Sequence, residues 1–391
     1  MHKKIVFVAH EFGMYSGHGG IASYLYNICK YLLENTEHQI YVMAEMYDNE
    51  SDLFVNQRFS FSAIPHGDLI NKRQAILVKM NEFQPDYIEF TDYLALGLHC
   101  MIEKARKNFF HNTTLVTNHH TATRECFEWS TNKDILFASI HTQQLVREEQ
   151  LQMELSDYNF SPSTFLADYV YIKYKLNEKP LFFANPFYSK LESRYELRDK
   201  YKDEIDFNLY SESFNIVLIT RFEGRKRHNK LVNAFIKLLD QNIDCNLFLI
   251  GNSTHDPLTN LDCRYELYKN IDEKYIENIF FYDFMTIKQQ EKFLAIADLT
   301  VMPSCYENQP MAMIECILRG IPVIASKFSG CKDYSPVSML FDPFDHDDLL
   351  NTISDFINLS KDDRKKIIEQ QKTLLKKITS PEVCILPRFE L

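Results

Sequence analysis

Phe214-Asn215-Ile216-Val217-Leu218-Ile219 runs directly into Thr220-Arg221-Phe222-Glu223-Gly224-Arg225-Lys226-Arg227. The first six residues are apolar except for one Asn, the pattern of a strand buried on both faces of a parallel sheet. The next eight form a polar turn in which Arg221, Arg225, Lys226 and Arg227 place four cations within seven residues. In doubly wound sheets ligands meet the chain at the carboxyl ends of strands. Cations there offset the charge of a diphosphate without requiring a metal.

Downstream, the same alternation repeats. Leu247-Phe248-Leu249-Ile250, Ile279-Phe280-Phe281-Tyr282, Leu299-Thr300-Val301-Met302 and Pro322-Val323-Ile324-Ala325 read as strands separated by helical segments. The segment from Asp347 to Ile378 reads as a last helix whose basic residues, Lys361 to Lys366 among them, form a solvated face. Upstream, Ile5-Val6-Phe7-Val8-Ala9 is a second buried strand, followed by Ile21, Tyr24, Leu25, Ile28 and Leu32 at helical spacing. Ile40 to Met43, Tyr87 to Phe90, Thr114 to Thr117, Tyr158 to Phe160 and Leu181 to Phe183 continue the series. Asn185-Pro186 and the charged stretch from Lys190 to Asp206 mark a junction between the two series.

The expected fold class is therefore α/β, with two Rossmann-like doubly wound domains facing each other across a cleft. Residues 1–190 would form an N-terminal, acceptor-side domain, residues 191–375 a C-terminal nucleotide-sugar domain, and residues 376–391 a tail packing back on the first. The length of 391 residues suits that division. Composition excludes other classes: 45% hydrophobic and 25% charged residues do not describe a disordered chain, and a net charge of −11 argues against a nucleic-acid binder. The apolar stretch after Met1-His2-Lys3-Lys4 is too short for a signal-peptide core, and no run reaches the length of a membrane span, so a cytoplasmic location is expected. Nine scattered cysteines without a CxxC pair suit reduced thiols.

The loop Gly17-His18-Gly19-Gly20-Ile21-Ala22 lies between a strand and an amphipathic helix. Gly19 and Gly20 let backbone N–H groups approach an anion, and the helix N-terminus adds favourable partial charge. The loop also fits the dinucleotide pattern G-x-G-x-x-A, with Glu45 near the end of the second strand as a ribose-binding acid, which makes an NAD-dependent oxidoreductase the rival reading. Seven residues, His10 to Ser16, separate the strand from Gly17, the first glycine of that pattern, unlike the immediate turn of a dinucleotide fold.

Pro303-Ser304-Cys305-Tyr306-Glu307-Asn308-Gln309-Pro310-Met311-Ala312-Met313-Ile314-Glu315 again follows a buried strand and leads into a helix. Glu307 sits at the loop-to-helix transition, within reach of a ligand's hydroxyls, and Glu315 lies two turns further on, where it would take a neighbouring diol.

Arg221 and Lys226 together with Glu307 and Glu315 resemble the retaining nucleotide-sugar glycosyltransferases of family 4, which have the GT-B fold. The resemblance covers nearly the whole chain. Gly19-Gly20-Ile21 is similar to the family's glycine loop, Thr117-Asn118-His119 to its strand-end histidine motif, Asn185-Pro186 to its interdomain segment, and Ile250-Gly251-Asn252 to a turn of its C-terminal domain. Asn308-Gln309-Pro310 stands where glycines are common, and Thr220 stands in place of a usual glycine.

The resemblance implies a metal-independent, retaining, hexosyltransferase-type enzyme whose donor is a nucleotide-diphosphate sugar. Arg221 and Lys226 would hold the diphosphate, Glu307 the sugar hydroxyls, and Glu315 the ribose diol. His119 would contact the transferred sugar, with His120 beside it as the alternative. Asn308, Gln309, Pro310 and Met311 would line the sugar pocket, and Tyr282 to Phe284 would border the base. The expected acceptor is a glycan or lipid-linked glycan of surface polysaccharide assembly, bringing the protein to the inner face of a membrane. The basic and aromatic stretch Ile102 to Phe110 is a candidate contact there, although a solvated helix end fits it better. Trp129, the single tryptophan, is read as packing rather than as an acceptor-site residue. A GT-B sugar-nucleotide epimerase or phosphorylase and a silent sugar-nucleotide-binding subunit remain as alternatives, separated by whether product needs an added acceptor and by whether donor is turned over at all.

Overall fold

The computed structural model describes residues 2–13, 19–47, 56–188, 190–205 and 213–391. The chain divides into two compact units: Met1–Glu128, Lys133–Ser189 and Ile378–Leu391 form the first, and Trp129–Asn132 with Lys190–Lys377 the second.

The first unit is built on β1 (Lys4–Phe12), β2 (Gln39–Tyr47), β3 (Phe59–Ala63), β4 (Tyr87–Thr91), β5 (Thr114–Asn118), β6 (Tyr158–Ser161) and β7 (Leu181–Phe182). They form one parallel sheet in the order β3-β2-β1-β4-β5-β6-β7. Ile5, Val6, Phe7 and Val8 are all at most 1% exposed, because β1 lies in the middle of the sheet with helices on both faces. Each such side chain contributes about 1.5–3 kcal/mol by leaving water. Ile5 and Phe7 pack in one cluster with Tyr24, Leu25, Ile28 and Leu32 of the helix Gly20–Asn35, while Val6 and Val8 pack in another with Ile76 and Met80 of the helix Leu69–Phe83.

β3 has no counterpart in the sequence reading. None of its residues is fully buried, as befits a sheet edge, so it lacks the continuous apolar run of a central strand. The chain's last residues belong to this unit, where Cys384, Ile385 and Phe389 join the first core cluster. Arg388 is fully buried there and donates to Tyr24 Oη at 2.6 Å and to the Phe183 carbonyl at 3.0 Å, with Glu89 at 3.4 Å. Glu89 also accepts from Tyr87 Oη and Asn118 Nδ2, both at 2.8 Å. In the stretch Ile102 to Phe110, Lys104 is bound to Asp157 at 2.5 Å and Phe110 is buried, so only Arg106, Lys107 and Phe109 are left as a basic and aromatic surface.

The second unit contains β8 (Phe214–Ile219), β9 (Cys245–Ile250), β10 (Ile279–Tyr282), β11 (Leu299–Met302), β12 (Val323–Ser326) and β13 (Leu340–Phe341), parallel and ordered β10-β9-β8-β11-β12-β13. The order reverses between β8 and β11, so their carboxyl ends flank the crevice that such a sheet offers a ligand. Gly251, at φ +154°, follows β9 where an added Cβ would lie 2.1 Å from the Thr220 carbonyl oxygen, so no other residue fits. The expected single helix from Asp347 is two, Asp348–Asn358 and Lys361–Thr379, with Leu359 in extended conformation between them. All nine cysteines are free thiols.

Buried carboxyls give the first unit a pH dependence. Glu125 is 1% exposed and accepts from Tyr174 Oη at 3.1 Å, and burial, followed by repulsion from Asp92, pushes its carboxyl up to about 8. A folded-state pKa above the unfolded value of 4.5 contributes stability that is fully present below pH 4.5 and is lost as pH rises through about 8. Glu125→Gln keeps an acceptor for Tyr174 and cannot ionise. Urea midpoints of wild type and variant are expected to coincide near pH 5 and to separate by pH 8.5, with the variant more stable by a few kcal/mol at most, roughly 1.4 kcal/mol per pKa unit. Parallel curves across that range would refute it.

Candidate active site

The loops after β8 and β11 meet at the switch point of the second unit. After β8, a 3₁₀ turn at Gly224–Lys226 ends on Arg227 in the left-handed region, φ +52°, before the helix His228–Asp240 begins. That tight turn carries Arg225 and Lys226 inward, both buried. After β11, the segment from Pro303 to Gln309 leads to the helix Met311–Arg319. Within it Glu307 pairs with Ser329 as a short parallel bridge, and its carbonyl accepts from the Gly330 N–H at 3.1 Å.

Glu307 is 6% exposed, and its Oε1 accepts from Arg225 Nη1 at 2.8 Å, from Ser304 Oγ at 3.0 Å and from Lys226 Nζ. Arg225 Nε lies 2.7 Å from Glu223 Oε1. Burial alone would raise the Glu307 carboxyl, but Lys226 and Arg225 outweigh it and hold Glu307 below the ordinary carboxylate range. The Lys226 ammonium is lowered, first by burial and then by Arg225 beside it. Arg221, Arg225 and Lys226 meet two carboxylates, Glu223 and Glu307, and with Arg227, which donates to Asn132, the turn carries an excess of two positive charges. That excess matches a diphosphate.

The sequence-based pairing of Arg221 with Lys226 is redistributed. Arg221 has a side chain 61% exposed and approaches only Glu223, at 3.8 Å, while Arg225 takes the buried place beside Lys226. Ser304 and Glu223 complete the cluster and were not foreseen. The signal for Arg225 was present in the cationic run, but spacing does not say which side chain a 3₁₀ turn points inward.

Glu315 stands apart from the Glu307 cluster. It borders a cavity of about 20 Å³ with Val217, Ile219, Thr300 and Met313, and burial pushes its carboxyl up to about 7. Gln309 and Met311 are buried, with Asn308 and Pro310 half-buried beside them. Tyr282 ends β10 with its ring 4.8 Å from Phe293, and Phe284 is 44% exposed.

In the first unit two expectations change, those for the glycine loop and for Glu45, and both residues of the histidine pair are buried. His119 is fully buried, continues the sheet ladder through its N–H to the Phe160 carbonyl at 2.9 Å, and donates from Nε2 to Asn159 Oδ1 at 3.1 Å, with Asp92 3.6 Å from Nδ1. Its Nδ1 has no hydrogen-bond partner among the described residues. Its neighbour His120 packs on the Tyr24 ring at 4.9 Å, has an Nε2 without a hydrogen-bond partner among the described residues, and is held down at about 4, chiefly by burial. At the glycine loop, the Glu11 carboxylate accepts from the Gly19 N–H at 3.0 Å and the Ala22 N–H at 3.4 Å. A protein carboxylate thus occupies the helix N-terminus where Gly19 and Gly20 were expected to receive a phosphate, and a second anion there would be repelled. Gly17 and His18 lie outside the described residues. Glu45 is bound by Lys72 and by His10 at 3.1 Å, so the acid expected to hold a dinucleotide ribose is already paired.

Comparison with known proteins places these features. Residues 199–374 match the family described as Glycosyl transferases group 1. Two curated relatives align in part: an uncharacterized 41.2 kDa protein in the cps region of Klebsiella pneumoniae, 29% identical over 30% of this chain, and Protein CapJ of Staphylococcus aureus, 26% identical over 57% of it. The chain spans 29% of the first relative and 54% of the second. In fold, it is similar to sucrose-phosphate synthase of Thermosynechococcus elongatus, with a TM-score of 0.74 at 16% identity covering 99% of this chain and 98% of that one. It is also similar to Anabaena Alr3699/HepE, solved in complex with UDP and glucose, with a TM-score of 0.70 at 17% identity covering 100% and 99%. The family match lies over the second unit, and the likeness in fold bears out an α/β chain of two Rossmann-like domains.

Proposed function

We propose that the chain is a retaining, metal-independent glycosyltransferase resembling family 4, which moves a sugar from a nucleoside-diphosphate donor to an acceptor hydroxyl. The observation that carries this reading is the buried Arg225–Lys226–Glu307 cluster at the carboxyl ends of β8 and β11. Lys226 and Arg225, with Arg221 at the surface, offset the charge that develops on the diphosphate as the bond to the sugar breaks. Preorganised charge in a water-poor site is the largest single contribution to such a step. Glu307 orients the sugar hydroxyls and keeps the two cations in place. Glu315 takes the ribose diol, Tyr282 to Phe284 border the base, and Asn308 to Met311 line the sugar. His119, with His120 beside it as the alternative, is the proposed sugar-contacting histidine, and each keeps a ring nitrogen without a hydrogen-bond partner among the described residues, Nδ1 of His119 and Nε2 of His120.

Retention follows from same-face attack. The sugar C1–O bond to phosphate breaks, the acceptor oxygen bonds to C1 on the same side, and the acceptor proton passes to the departing phosphate oxygen. UDP is the first nucleotide to try, because Anabaena Alr3699/HepE was solved with it. A glycan acceptor of surface polysaccharide assembly, free or lipid-linked, is the proposed setting, supported by the partial likeness to CapJ and the cps-region protein. The proposed place of work is the cytoplasm at the inner membrane face, where such acceptors are assembled; separately, among the described residues no helix is long and apolar enough to cross a membrane.

Thermal unfolding with UDP, GDP, ADP, CDP and NAD, each with EDTA present, tests the reading. One nucleoside diphosphate is expected to raise the midpoint, since a ligand at 100 times its Kd adds about 2.7 kcal/mol, and NAD is expected to have no effect. Stabilisation by NAD alone, or only after a divalent metal is restored, would count against it.

A further inference from the structure

The helix Thr123–Thr131 ends in residues that belong to the second unit. There Trp129 stacks on the Tyr306 ring, centroids 5.4 Å apart and planes 18° from parallel, and Tyr306 is fully buried. The Trp129 carbonyl accepts from Cys305 Sγ at 3.7 Å. One residue on, the Ser130 carbonyl lies so close to Gly224 that an added Cβ would come within 2.5 Å of it. Asn132 accepts from Arg227. Three residues of the stretch 129–132 thus touch the two turns of the candidate site: Trp129 the turn after β11, Ser130 and Asn132 the turn after β8.

The two turns are also tied to each other. The Cys305 N–H donates to the Arg225 carbonyl at 3.1 Å, and Arg225 donates to the Tyr306 carbonyl at 3.3 Å as well as to Glu307. The Trp129–Tyr306 stack therefore sits one residue from the carboxylate that holds Arg225 and Lys226. Offset-stacked rings of this kind add about 0.5–1.5 kcal/mol beyond the area they bury, enough to select one arrangement of a short turn.

We infer that Trp129 is a positioning residue for Glu307, fixing the Cys305–Glu307 turn against the Gly224–Arg227 turn. The consequence for turnover rests on the transferase reading above, whereas the fixing of the turn does not. Trp129 acts through Tyr306 and touches no ligand itself, so its loss lowers turnover without lowering nucleotide affinity to the same degree.

The test compares wild type, Trp129→Ala and Trp129→Phe, each first shown to melt cooperatively. Ligand-free protein is treated with iodoacetamide and modification at Cys305, 2% exposed in the native fold, is followed by peptide mass spectrometry. Alanine is expected to speed modification of Cys305 at least fivefold while Cys29 and Cys100 in the first unit stay protected, and phenylalanine, which keeps a stacking ring, is expected to restore protection. With donor, alanine should lower kcat about tenfold while the Kd for UDP, or for whichever nucleotide binds, stays within threefold, and phenylalanine should recover most of kcat. Unchanged protection of Cys305 in Trp129→Ala overturns the inference, and so does a kcat equal to wild type. Faster modification of Cys305 in a protein that binds no nucleotide upholds the fixing of the turn and overturns the transferase reading.

Discussion

Glu307→Gln is expected to abolish measurable transfer and to destabilise the second unit. The carboxylate accepts from Arg225, Lys226 and Ser304 at a site 6% exposed. An amide of the same shape keeps one acceptor oxygen but leaves two buried cations facing a neutral group. Breaking a buried ion pair from one side costs about 3–5 kcal/mol, and glutamine should fall at the lower end because it still accepts a hydrogen bond. Chemical denaturation should show the loss. Turnover should fall further than stability explains, because Lys226 is no longer held where the diphosphate needs it. A variant with wild-type stability and turnover would remove Glu307 from the account.

Lys226→Ala separates charge from structure. Glu307 keeps Arg225 at 2.8 Å and Ser304 at 3.0 Å, so no carboxylate is stranded and the melting midpoint should move by only a few degrees. Deleting one preorganised electrostatic partner of a transition state typically costs about 10²–10³ in kcat. Steady-state analysis should show kcat and kcat/KM falling together if the ammonium acts chiefly on the departing diphosphate. A change in KM alone would mean that Lys226 binds the donor without assisting bond cleavage. Arg221→Ala, at an exposed side chain, should have the milder effect, although the resemblance gives Arg221 and Lys226 the same role.

Much of this architecture was legible because parallel strands buried on both faces are continuous apolar words in the sequence. Ile5 to Ala9 and Phe214 to Ile219 announced the two sheets, and both proved interior to them. Of the four edge strands, Leu181–Phe182 and Ile279–Tyr282 were legible and two were not: Phe59–Ala63 is half exposed, and Leu340–Phe341 is only two residues long. At the site, the loops after β8 and β11 could be read as functional from their place behind buried strands, but side-chain direction could not. The 3₁₀ turn and the left-handed Arg227 bring Arg225 inward and leave Arg221 outside. The same limit governs the histidine pair, because both residues after the strand Thr114–Asn118 are buried and each has a ring nitrogen without a hydrogen-bond partner among the described residues. Glu11 capping the helix at Gly20 could not be anticipated, because its partner Gly19 is eight residues away. The contact between Trp129 and Tyr306 joins residues 177 positions apart, which no local pattern encodes.

The most direct test is release of nucleoside diphosphate from labelled sugar nucleotides, with EDTA present and a glycan acceptor supplied, comparing wild type with Lys226→Ala and Glu307→Gln. The account predicts release by wild type from at least one donor, a product anomer matching that of the donor sugar, and loss of release by at least a hundredfold in both variants. Release that persists in Lys226→Ala and Glu307→Gln, or a wild type that cleaves no sugar nucleotide while responding to NAD, would contradict it.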